Sequence, residues 1–506
     1  MGREAGVLLI RADAGLQMGT GHVMRCLALC QAWQDLGGRA ELITVGLPEP
    51  LQQRMEAEQC GVHQLDCAVG SLHDAQATAE LAGRIAATAV VLDGYQFDEA
   101  YCCQLELALP RLLRIDDFGG HARGGMILNQ NAWAAAADYP GCGPQTTLLA
   151  GSRYALLRRE FASIRTARPQ IRSRPERLLV SCGGSDPTQA VDRILLQLRD
   201  VSQRIREVVV VLGAVNERSE EVRSLAATLP FSVRIEQNCR NMSRLMCDAD
   251  LAIAAAGTTS WEMACCGLPM ISVVTAENQV RVAEAIAARG LGWNAGWMNE
   301  DAAENVSTLL QQINADGSAL STASERCWRQ VDGRGAGRVA ALLAAPVLQL
   351  RLAEAADSEL LWRWRNEATV RQMSFGSEEI AWEDHSRWYS ARLQRPDCEI
   401  LIASNGEGKP IGQVRLDRQG DGAVISVSIA AEYRGCGYGA TLIRLATNHA
   451  FVQRGLAWVD AMIREENVAS QTAFLRAEYQ RRTETTESQQ GLRFTAWNTD
   501  LQASNG

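Results

Sequence analysis

The chain has 506 residues, and at about one domain per 150 residues this length predicts three compact units. Apolar residues make up 47% of the chain and charged residues 22%, which is typical of folded globular proteins and excludes a mostly disordered chain. The formal net charge of −9 argues against a broad basic surface for nucleic acid, and no uncharged apolar stretch reaches the ~20 residues that span a bilayer.

The 15 cysteines are irregularly spaced, and none of them forms a CxxC pair. This pattern predicts reduced, mostly buried thiols and no zinc site. The first residues carry charges on both sides of a short apolar run, so we predict no secretory signal and expect a cytoplasmic protein.

The first predicted domain, residues 1–155, alternates short apolar runs with helical patterns. Strands are predicted at Val7–Ala12, Glu41–Val45, Ala89–Leu92 and Leu112–Ile115. Strands that alternate with helices in this way are typical of a doubly wound parallel sheet.

A glycine-containing loop joins the first strand to a predicted helix. It holds Gly19, Gly21, His22 and Arg25, and the helix start offers free N–H groups to a phosphate. An imidazole at this edge of the sheet, with an ordinary pKa near ~6.5, can take a proton from water. The simpler interpretation of His22 is a loop or helix-capping residue.

The second predicted domain, residues 156–345, repeats the alternation. Its strands are predicted at Leu178–Ser181, Val208–Leu212, Val233–Glu236, Leu251–Ala255 and Met270–Val274. Two consecutive α/β halves of this kind fit a glycosyltransferase-B-like and a periplasmic-binding-like architecture equally well.

Two loops of the second domain have the composition of phosphate-binding turns. One reads Cys182–Pro187 and includes Gly183, Ser185 and Asp186. The other reads Ala256–Glu262, with hydroxyls that donate to phosphate, and is followed by Asn278 and Gln279. Glu262, one turn into the next helix, can accept hydrogen bonds from both ribose hydroxyls. A structural turn and a helix cap are the alternatives.

Residues 7–345 resemble the UDP-sugar hydrolases of pseudaminic acid biosynthesis, which are related to the glycosyltransferase-B fold and remove UDP from UDP-2,4-diacetamido-2,4,6-trideoxy-β-L-altropyranose. The motifs that carry the resemblance are Arg11–Asp13, Gly19–Arg25, Asp116–Asp117, Asn129–Asn131, Tyr154–Phe161, Cys182–Pro187 and Ala256–Glu262. The Gly-Thr-Thr segment by itself is also similar to lipid-linked N-acetylglucosaminyltransferases that use UDP sugars.

The resemblance implies that water, activated by His22, attacks the anomeric carbon with inversion and without a metal. Asp13 is a second candidate, as a partner of His22 or of the sugar. The residues expected to bind the UDP-sugar are Gly19, Gly21, Arg25, Gly183, Ser185, Asp186, Gly257, Thr258, Thr259, Glu262, Asn278 and Gln279.

The third predicted domain, residues 346–506, has an α+β pattern. Its strands are predicted at Ile400–Ala403, Ile411–Leu416 and Val424–Ile429. Trp362, Trp364 and Trp388 are more simply explained by core packing than by stacking on a substrate.

Two motifs in this domain, R-x-x-G-x-G at Arg434–Gly439 and N-x-x-S-x-x-x-F at Asn467–Phe474, together resemble the acetyl-CoA-binding core of the GNAT N-acetyltransferases. The start Trp362–Asn366 is similar to the acetyltransferase of the same pathway, which modifies a UDP-linked 4-amino sugar, and also to ribosomal-protein acetyltransferases. The resemblance implies an acetyl-CoA site formed by Val427, Ile429, Arg434, Gly435, Gly437, Gly439, Asn467 and Ser470.

Two positions depart from the GNAT pattern. Phe474 stands where many of these enzymes carry a tyrosine acid for the leaving thiol, and Glu478 stands where a glycine is usual. Tyr479 or water is then the candidate proton source.

The sequence therefore predicts two Rossmann-like domains in a glycosyltransferase-B-like arrangement plus a GNAT domain, in a bifunctional enzyme that acetylates a UDP-4-amino sugar and hydrolyses the product. The alternatives are a UDP-sugar glycosyltransferase fused to an acetyltransferase, and a nucleotide-sugar-binding protein whose GNAT domain is inert.

Overall fold

A computed structural model of the chain describes residues 5–15, 19–109, 111–120, 125–142, 146–165, 173–184, 186, 188–201, 204–213, 216–298, 303–482 and 491–502. The chain divides into two compact units, one built from the described residues up to 141 and from 148 to 343, and the other from residues 344–501. No helix in these ranges is long and apolar enough to cross a membrane.

The first unit begins with a sheet of seven strands. The strands are β1 (Val7–Ala12), β2 (Arg39–Thr44), β3 (Gly61–Gln64), β4 (Ala87–Asp93), β5 (Leu112–Ile115), β6 (Met126–Asn129) and β7 (Thr147–Ala150). The helices of this part are α1 (Gly21–Gln34), α2 (Glu49–Ala57), α3 (Leu72–Arg84), α4 (Glu99–Ala108) and α5 (Arg159–Ile164). The spatial order is β3-β2-β1-β4-β5-β6-β7, and the strand pairs from β3 to β6 are parallel. β1 is buried along its whole length, as expected when helices cover both faces of a parallel sheet.

A second parallel sheet follows in the same unit. Its strands are β8 (Arg177–Ser181), β9 (Glu207–Leu212), β10 (Ser232–Gln237), β11 (Leu251–Ala255), β12 (Met270–Val274) and β13 (Gly292–Trp297). The helices are α6 (Ala190–Asp200), α7 (Ser219–Ala226), α8 (Met242–Asp248), α9 (Thr259–Cys265), α10 (Val280–Ala288), α11 (Ala303–Ala315), α12 (Ala319–Gln330) and α13 (Gly335–Ala344). The order is β10-β9-β8-β11-β12-β13.

Both sheets reverse their winding at one place, between β1 and β4 in the first sheet and between β8 and β11 in the second. At such a reversal, the loops after the two neighbouring strands diverge and leave a crevice in which α/β proteins bind ligands. Each predicted nucleotide-binding loop follows one of these strands.

The second unit is a mixed sheet with helices. Its strands are β14 (Leu348–Leu352), β15 (Cys398–Asn405), β16 (Pro410–Gln419), β17 (Gly422–Ile429), β18 (Trp458–Ile463), β19 (Gln480–Arg481) and β20 (Leu492–Trp497). The helices are α14 (Ser358–Asn366), α15 (Ala368–Gln372), α16 (Trp382–Leu393), α17 (Tyr438–Asn448), α18 (Val468–Arg476) and α19 (Thr499–Gln502). The order is β14-β15-β16-β17-β18-β20-β19, with antiparallel neighbours except for the parallel pair β17 and β18.

The predicted fold class is confirmed, because two Rossmann-like parallel sheets precede a mixed sheet. β1, β5, β11 and β12 coincide with their predicted ranges. The sequence analysis missed the short strands β3 and β6, which have four residues each, and the half-exposed β13, which lacks a clear apolar run.

The three tryptophans that were predicted to pack in the core differ from one another. Trp364 packs against the buried cluster around Leu361 and Tyr389, and the indole N–H of Trp362 donates to the carbonyl of Ile380 at 2.7 Å. Trp388, in contrast, is 38% exposed.

Candidate active sites

His22 lies at the winding reversal of the first sheet. It is the second residue of α1, directly after the loop that follows β1, and its side chain points to Asp93 at the end of β4. The distance from His22 Nδ1 to Asp93 Oδ1 is 2.5 Å, and both residues are buried. The strand order therefore brings together two groups that lie 71 residues apart in the chain.

Arg25, one turn further along α1, connects two carboxylates. Its guanidinium donates to both oxygens of Asp93 at 2.7 and 2.6 Å and to both oxygens of Asp117 at 2.9 Å. Burial on its own raises the pKa of Asp93, but Arg25 and His22 outweigh burial and hold this pKa well below its usual value. Asp117 is likewise held ionised, chiefly by Arg25 against the effect of burial.

The ionised state of Asp93 decides which nitrogen of His22 carries a proton. A carboxylate can only accept a hydrogen bond, so Nδ1 of His22 is the donor in this contact. In the neutral imidazole, the nitrogen without a proton is then Nε2, which has no hydrogen-bond partner among the described residues. This arrangement leaves a basic nitrogen for a ligand or a water molecule.

Tyr95, in the loop after β4, lies beside His22. The two rings meet edge to face with centroids 4.8 Å apart, and the hydroxyl of Tyr95 donates to Asp117 Oδ2 at 3.1 Å. Burial and the nearby carboxylate of Asp117 raise the pKa of Tyr95, so the hydroxyl stays protonated. The amide of Asn278 donates to this hydroxyl at 3.0 Å, which connects the loop after β12 to the same site.

The glycine loops of the two sheets face each other inside the first unit. A Cβ atom at Gly21 would lie 3.7 Å from the hydroxyl of Thr258, and a Cβ atom at Gly184 would lie 2.8 Å from the hydroxyl of Thr20. A Cβ atom at Gly184 would therefore fit only if the side chain of Thr20 moved. Residues of the loops after β1, β8 and β11 therefore lie next to one another.

The carboxylate of Asp186 stabilises the loop after β8 and the start of α6. The backbone of this residue has φ 47°, and its carboxylate accepts from the amides of Ala190 and Val191 at 2.9 and 3.1 Å, so it caps α6. Burial raises the pKa of Asp186. Gly183 is left-handed with φ 88°, and Ser185 lies outside the described residues.

The loop after β11 carries Gly257, Thr258 and Thr259, which are all half-buried where α9 begins. In α9, Glu262 Oε1 accepts from Arg158 at 3.0 Å, while burial raises the pKa of Glu262. Nearby, the side-chain oxygen of Gln279 accepts from the backbone N–H and hydroxyl of Thr275 at 2.8 and 3.1 Å. These hydrogen bonds of Gln279 stay within its own loop and stabilise it.

Asp13 is not the partner of His22, and this expectation is corrected. Its carboxylate is buried and pairs with Arg11 at 2.7 Å. Its other donors are the hydroxyl of Thr44, the backbone amides of Val45 and Gly46, and the side-chain amide of Gln96. Asp13 therefore holds the loops after β1 and β2 together, and Asp93 takes the place beside the imidazole.

Sequence reasoning did not single out Asp93 or Tyr95. The signal that was available is the position of Asp93, a carboxylate that ends an otherwise apolar, buried strand next to β1. Asp117 was quoted only as part of a motif. Without the strand order, none of the three could be assigned to His22.

In the second unit, β17 and β18 are paired only from Gly422–Val424 to Trp458–Asp460. Beyond Val424 the two strands separate. Val427 and Ile429 therefore pair with β16 on one side, with Val414 and Gly412, while no pairing with β18 is formed on the other. Their strand edge is available to a ligand that extends the sheet.

The loop Arg434–Gly439 follows this strand and leads into α17. The guanidinium of Arg434 donates to Glu367 at 2.7 and 2.6 Å and to the carbonyl of Ile429 at 2.9 Å, so its side chain orders the loop. Gly435 and Gly437 have φ 78° and 87°, a conformation that favours glycine and turns successive amides towards one side.

Two further motif residues lie at the start of α18. The side chain of Asn467 accepts from the amide of Ser470 at 3.1 Å and caps this helix. A Cβ atom at Gly439 would lie 3.7 Å from Ala473, so α17 and α18 pack closely where their motifs meet.

The departures from the GNAT pattern have a structural explanation. Glu478 keeps the left-handed backbone of the glycine it replaces, with φ 69°. Tyr479 is only 2% exposed, and its hydroxyl lies 2.7 Å from that of Thr447. Its ring packs edge to face on Phe474. Tyr479 is thus a core residue and does not face the cleft.

In the part of the chain that the structure describes, no three or more His, Cys, Asp or Glu side chains are grouped as metal ligands. The 15 cysteines are all unpaired, and only Cys436 is exposed.

Two regions match known domain families. Residues 178–329 match the glycosyltransferase family 28 C-terminal domain, and residues 348–480 match the GNAT acetyltransferase domain. A crystal structure of spermidine N-acetyltransferase from Vibrio cholerae in complex with CoA and spermine aligns with 31% of this chain and 98% of its own, with 17% identity and a TM-score of 0.29.

Three relatives extend the similarity beyond these domains. An uncharacterised protein of Methanocaldococcus jannaschii is 22% identical over 81% of this chain and 83% of its own length. The spore coat polysaccharide biosynthesis protein SpsG of Bacillus subtilis is 30% identical over 39% of this chain, which covers 58% of that protein. The UDP-2,4-diacetamido-2,4,6-trideoxy-β-L-altropyranose hydrolase of Campylobacter jejuni is 22% identical over 56% of this chain and 97% of its own length. The chain is therefore a homologue of this hydrolase and of SpsG, with a glycosyltransferase family 28 C-terminal domain, that also carries a GNAT acetyltransferase domain.

Proposed function

We propose that the protein is a bifunctional nucleotide-sugar enzyme of pseudaminic acid biosynthesis. The GNAT domain transfers an acetyl group from acetyl-CoA to the 4-amino group of a UDP-linked sugar. The first unit then hydrolyses UDP-2,4-diacetamido-2,4,6-trideoxy-β-L-altropyranose to the free sugar and UDP. The observation that carries the proposal is the contact of His22 with ionised Asp93, next to the glycine loops of both sheets.

In the hydrolytic step, Nε2 of His22 accepts a proton from water as the water oxygen attacks the anomeric carbon. The bond between this carbon and the diphosphate oxygen breaks, and the electron pair leaves with UDP. Asp93 stabilises the imidazolium that forms, and Arg25 holds Asp93 in place. Because the guanidinium of Arg25 is already bound by two carboxylates, we assign it to positioning His22 and no longer to contacting the nucleotide.

The leaving diphosphate is stabilised by hydroxyl and amide donors at the cleft. We assign this role to Thr258, Thr259, Ser185 and the glycines at 19, 21, 183 and 257. Glu262 is assigned to the ribose hydroxyls, and Asn278 and Gln279 to the sugar side of the cleft. Asp186 is assigned to stabilising the loop and not to contacting the nucleotide, since its carboxylate already caps α6.

In the acetyl transfer, the free edge of Val427 and Ile429 pairs with the pantetheine arm of acetyl-CoA. The amides of the loop Arg434–Gly439 bind its pyrophosphate, and Asn467 and Ser470 hold the neighbouring helix start. The neutral amine attacks the thioester carbonyl and forms the amide bond, the C–S bond breaks, and the amine loses one proton to water. With Phe474 and buried Tyr479 in the core, we assign protonation of the departing thiolate to water.

The proposal is tested by incubating the full chain with acetyl-CoA and the UDP-linked 4-amino sugar in H₂¹⁸O, followed by mass spectrometry. We expect CoA, UDP and the free diacetamido sugar, and no free sugar when acetyl-CoA is withheld. Because the carbon–oxygen bond breaks, UDP should carry no ¹⁸O; label in the UDP phosphate would contradict attack at the anomeric carbon.

A glycosyltransferase remains the second candidate because residues 178–329 match a glycosyltransferase family domain. That function requires an acceptor for UDP release. UDP that appears only after a saccharide or lipid acceptor is added would favour it over hydrolysis. A lack of CoA release with every UDP-amino sugar would favour an inert GNAT domain.

A further inference from the structure

Two aromatic residues follow neighbouring strands of the first sheet, beside His22. Tyr95 follows β4, and Phe118 follows β5. Because β4 and β5 are paired in parallel, the loops after them meet at the same edge of the sheet. The rings of Tyr95 and Phe118 contact each other edge to face with centroids 4.9 Å apart, and the ring of Tyr95 packs on His22 at 4.8 Å. We call Tyr95 and Phe118 the aromatic pair.

The aromatic pair forms an exposed apolar patch. Tyr95 is 46% exposed and Phe118 is 47% exposed. A single exposed apolar residue is common on protein surfaces, but two adjoining rings next to a buried charge network indicate a surface that a ligand covers. The hydroxyl of Tyr95 already donates to Asp117 and accepts from Asn278. Phe118 has no polar side-chain atom, so the exposed parts of the pair offer apolar contacts.

The loop that carries Phe118 is held by hydrogen bonds. The buried carboxylate of Asp116 accepts from the backbone N–H of Gly119 at 2.8 Å and from the hydroxyl of Tyr139 at 2.6 Å. The carbonyl of Phe118 accepts from Arg281 of α10 at 3.4 Å. A ligand that packs on a side chain whose backbone is already ordered loses less conformational entropy on binding. The ring of Phe118 therefore needs little rearrangement to bind a ligand.

The position of the aromatic pair indicates which part of the substrate it contacts. In the proposed hydrolysis, one water molecule lies between Nε2 of His22 and the anomeric carbon, so this carbon lies within roughly 6 Å of the imidazole. The ring of Tyr95 packs on the same imidazole, and Phe118 extends the apolar surface by one more ring. The sugar and its substituents are therefore the part of the UDP-sugar that lies closest to the pair.

We propose that Phe118, together with the ring of Tyr95, packs on a methyl group of the sugar and so determines which UDP-sugars the first unit hydrolyses. Such a methyl group is carried by an acetamido substituent or by a 6-deoxy carbon. A hydroxyl group in the same place would lose water without gaining a hydrogen bond, because Phe118 offers neither a donor nor an acceptor. This inference rests on the hydrolytic half of the proposed function and names the residue that selects its sugar.

The test measures binding by the full chain carrying His22→Asn, so that the UDP-sugar is not hydrolysed during the titration. Adding Phe118→Ala should raise the Kd for UDP-2,4-diacetamido-2,4,6-trideoxy-β-L-altropyranose about tenfold, the factor expected for one lost methyl contact. The Kd for UDP should change by less than about twofold, which also shows that the site is still folded. Phe118→Leu keeps an apolar side chain and should restore most of the affinity. Leu36→Ala is the matched control, because Leu36 is also exposed but follows the far end of α1.

Two further ligands distinguish the sources of the methyl group. UDP-N-acetylglucosamine carries an acetamido group at C2 and a hydroxyl at C6, and UDP-glucose carries no methyl group. A loss of affinity for UDP-N-acetylglucosamine in Phe118→Ala identifies the acetamido methyl at C2, whereas a loss confined to the trideoxy sugar identifies a methyl group at C4 or C6. Both results support the proposal. An equal loss with UDP-glucose would assign the ring of Phe118 to the pyranose itself and overturn the proposal.

An unchanged Kd for the trideoxy sugar nucleotide, or an equal rise in the Kd for UDP, would also overturn the proposal. Hydrolysis is tested separately, by UDP release from the wild type. If the wild type hydrolyses no UDP-sugar while binding still depends on Phe118, the hydrolysis proposal is wrong and the methyl site is supported. If the wild type hydrolyses the UDP-sugar and Phe118→Ala does so with an unchanged KM, the methyl site is wrong and hydrolysis is supported. Absence of any UDP-sugar binding would contradict both.

Discussion

The two candidate active sites are built from different parts of the polypeptide. In the first unit, the proposed reactive group is a side chain held by buried charges, with His22, Asp93, Arg25 and Asp117 in one continuous network. In the second unit, the proposed acetyl-CoA cleft is formed by main chain: a strand edge beyond Val424 and a loop of amides.

This difference predicts how each site responds to substitution. A side-chain network fails when one charged member is removed, because its partners stay buried without compensation. A site made of backbone amides tolerates most side-chain changes. It is sensitive only to substitutions that change the backbone conformation, such as those at glycines with positive φ.

The largest effect is expected for His22→Asn, which removes the base while leaving the cleft in place. UDP release should fall by about 10²–10⁴-fold, the usual contribution of a general base, while CoA release stays unchanged. Both reactions are measured on the same preparation. His63→Asn is the matched control, because His63 pairs with Glu41 away from the cleft and should keep full hydrolysis. Full hydrolysis by the His22 variant would show that the reaction of the first unit does not depend on this side chain.

Asp93→Asn should destabilise the first unit by about 3–5 kcal/mol, because Arg25 loses part of its buried counter-charge. UDP release should also fall, since the imidazole loses the acceptor for Nδ1. The free energy of unfolding in urea measures the first effect. Asp35→Asn removes an exposed partner of Arg159 and should change stability by less than about 1 kcal/mol. Equal stability of the two variants would contradict the role of the network.

Glu399→Gln tests whether a buried ion pair of the second unit contributes to stability but not to the kinetics of acetyl transfer. Burial raises the pKa of Glu399, but His449 and Arg454 outweigh burial and lower it to about 2. The ionised carboxylate therefore stabilises the unit above the ordinary pKa of about 4.3, and this contribution of about 3 kcal/mol is lost as the pH falls from about 4.3 to 2.

We expect Glu399→Gln to lower the thermal midpoint at pH 7, to have little effect below pH 2, and to leave the kinetics of CoA release unchanged. Glu407→Gln removes a carboxylate that is 71% exposed in the same unit and serves as the control. A changed KM for acetyl-CoA in the Glu399 variant would show that this pair belongs to the site.

The smallest effect is expected for Gly437→Ala. Its φ of 87° costs an alanine about 1–2 kcal/mol, so the loop shifts and the KM for acetyl-CoA rises about 5–30-fold, with UDP release unaffected. Gly408→Ala introduces a similar strain at φ 76° in a hairpin with open space around it, and should leave this KM unchanged. Unaltered acetyl-CoA kinetics in the Gly437 variant would show that the loop amides do not bind the pyrophosphate.

Much of the fold was predictable because its signals are local. Apolar runs bounded by glycine loops identify buried parallel strands, and β1, β5, β11 and β12 were found in this way. The edge strand β13 was not found, since this half-exposed strand shows no continuous apolar run.

The candidate sites were predictable only in part. The sequence by itself determined which loops precede helices, which residues in them are glycines or hydroxyl donors, and that one histidine stands at a helix start. Only the tertiary structure decided that Asp93 rather than Asp13 binds this histidine, and that Asn278 meets Tyr95 across 183 positions. The physical reason is that a hydrogen bond depends on distance in space. Strand order and helix packing bring together groups that lie far apart in the sequence, and their spacing along the chain does not predict the contact.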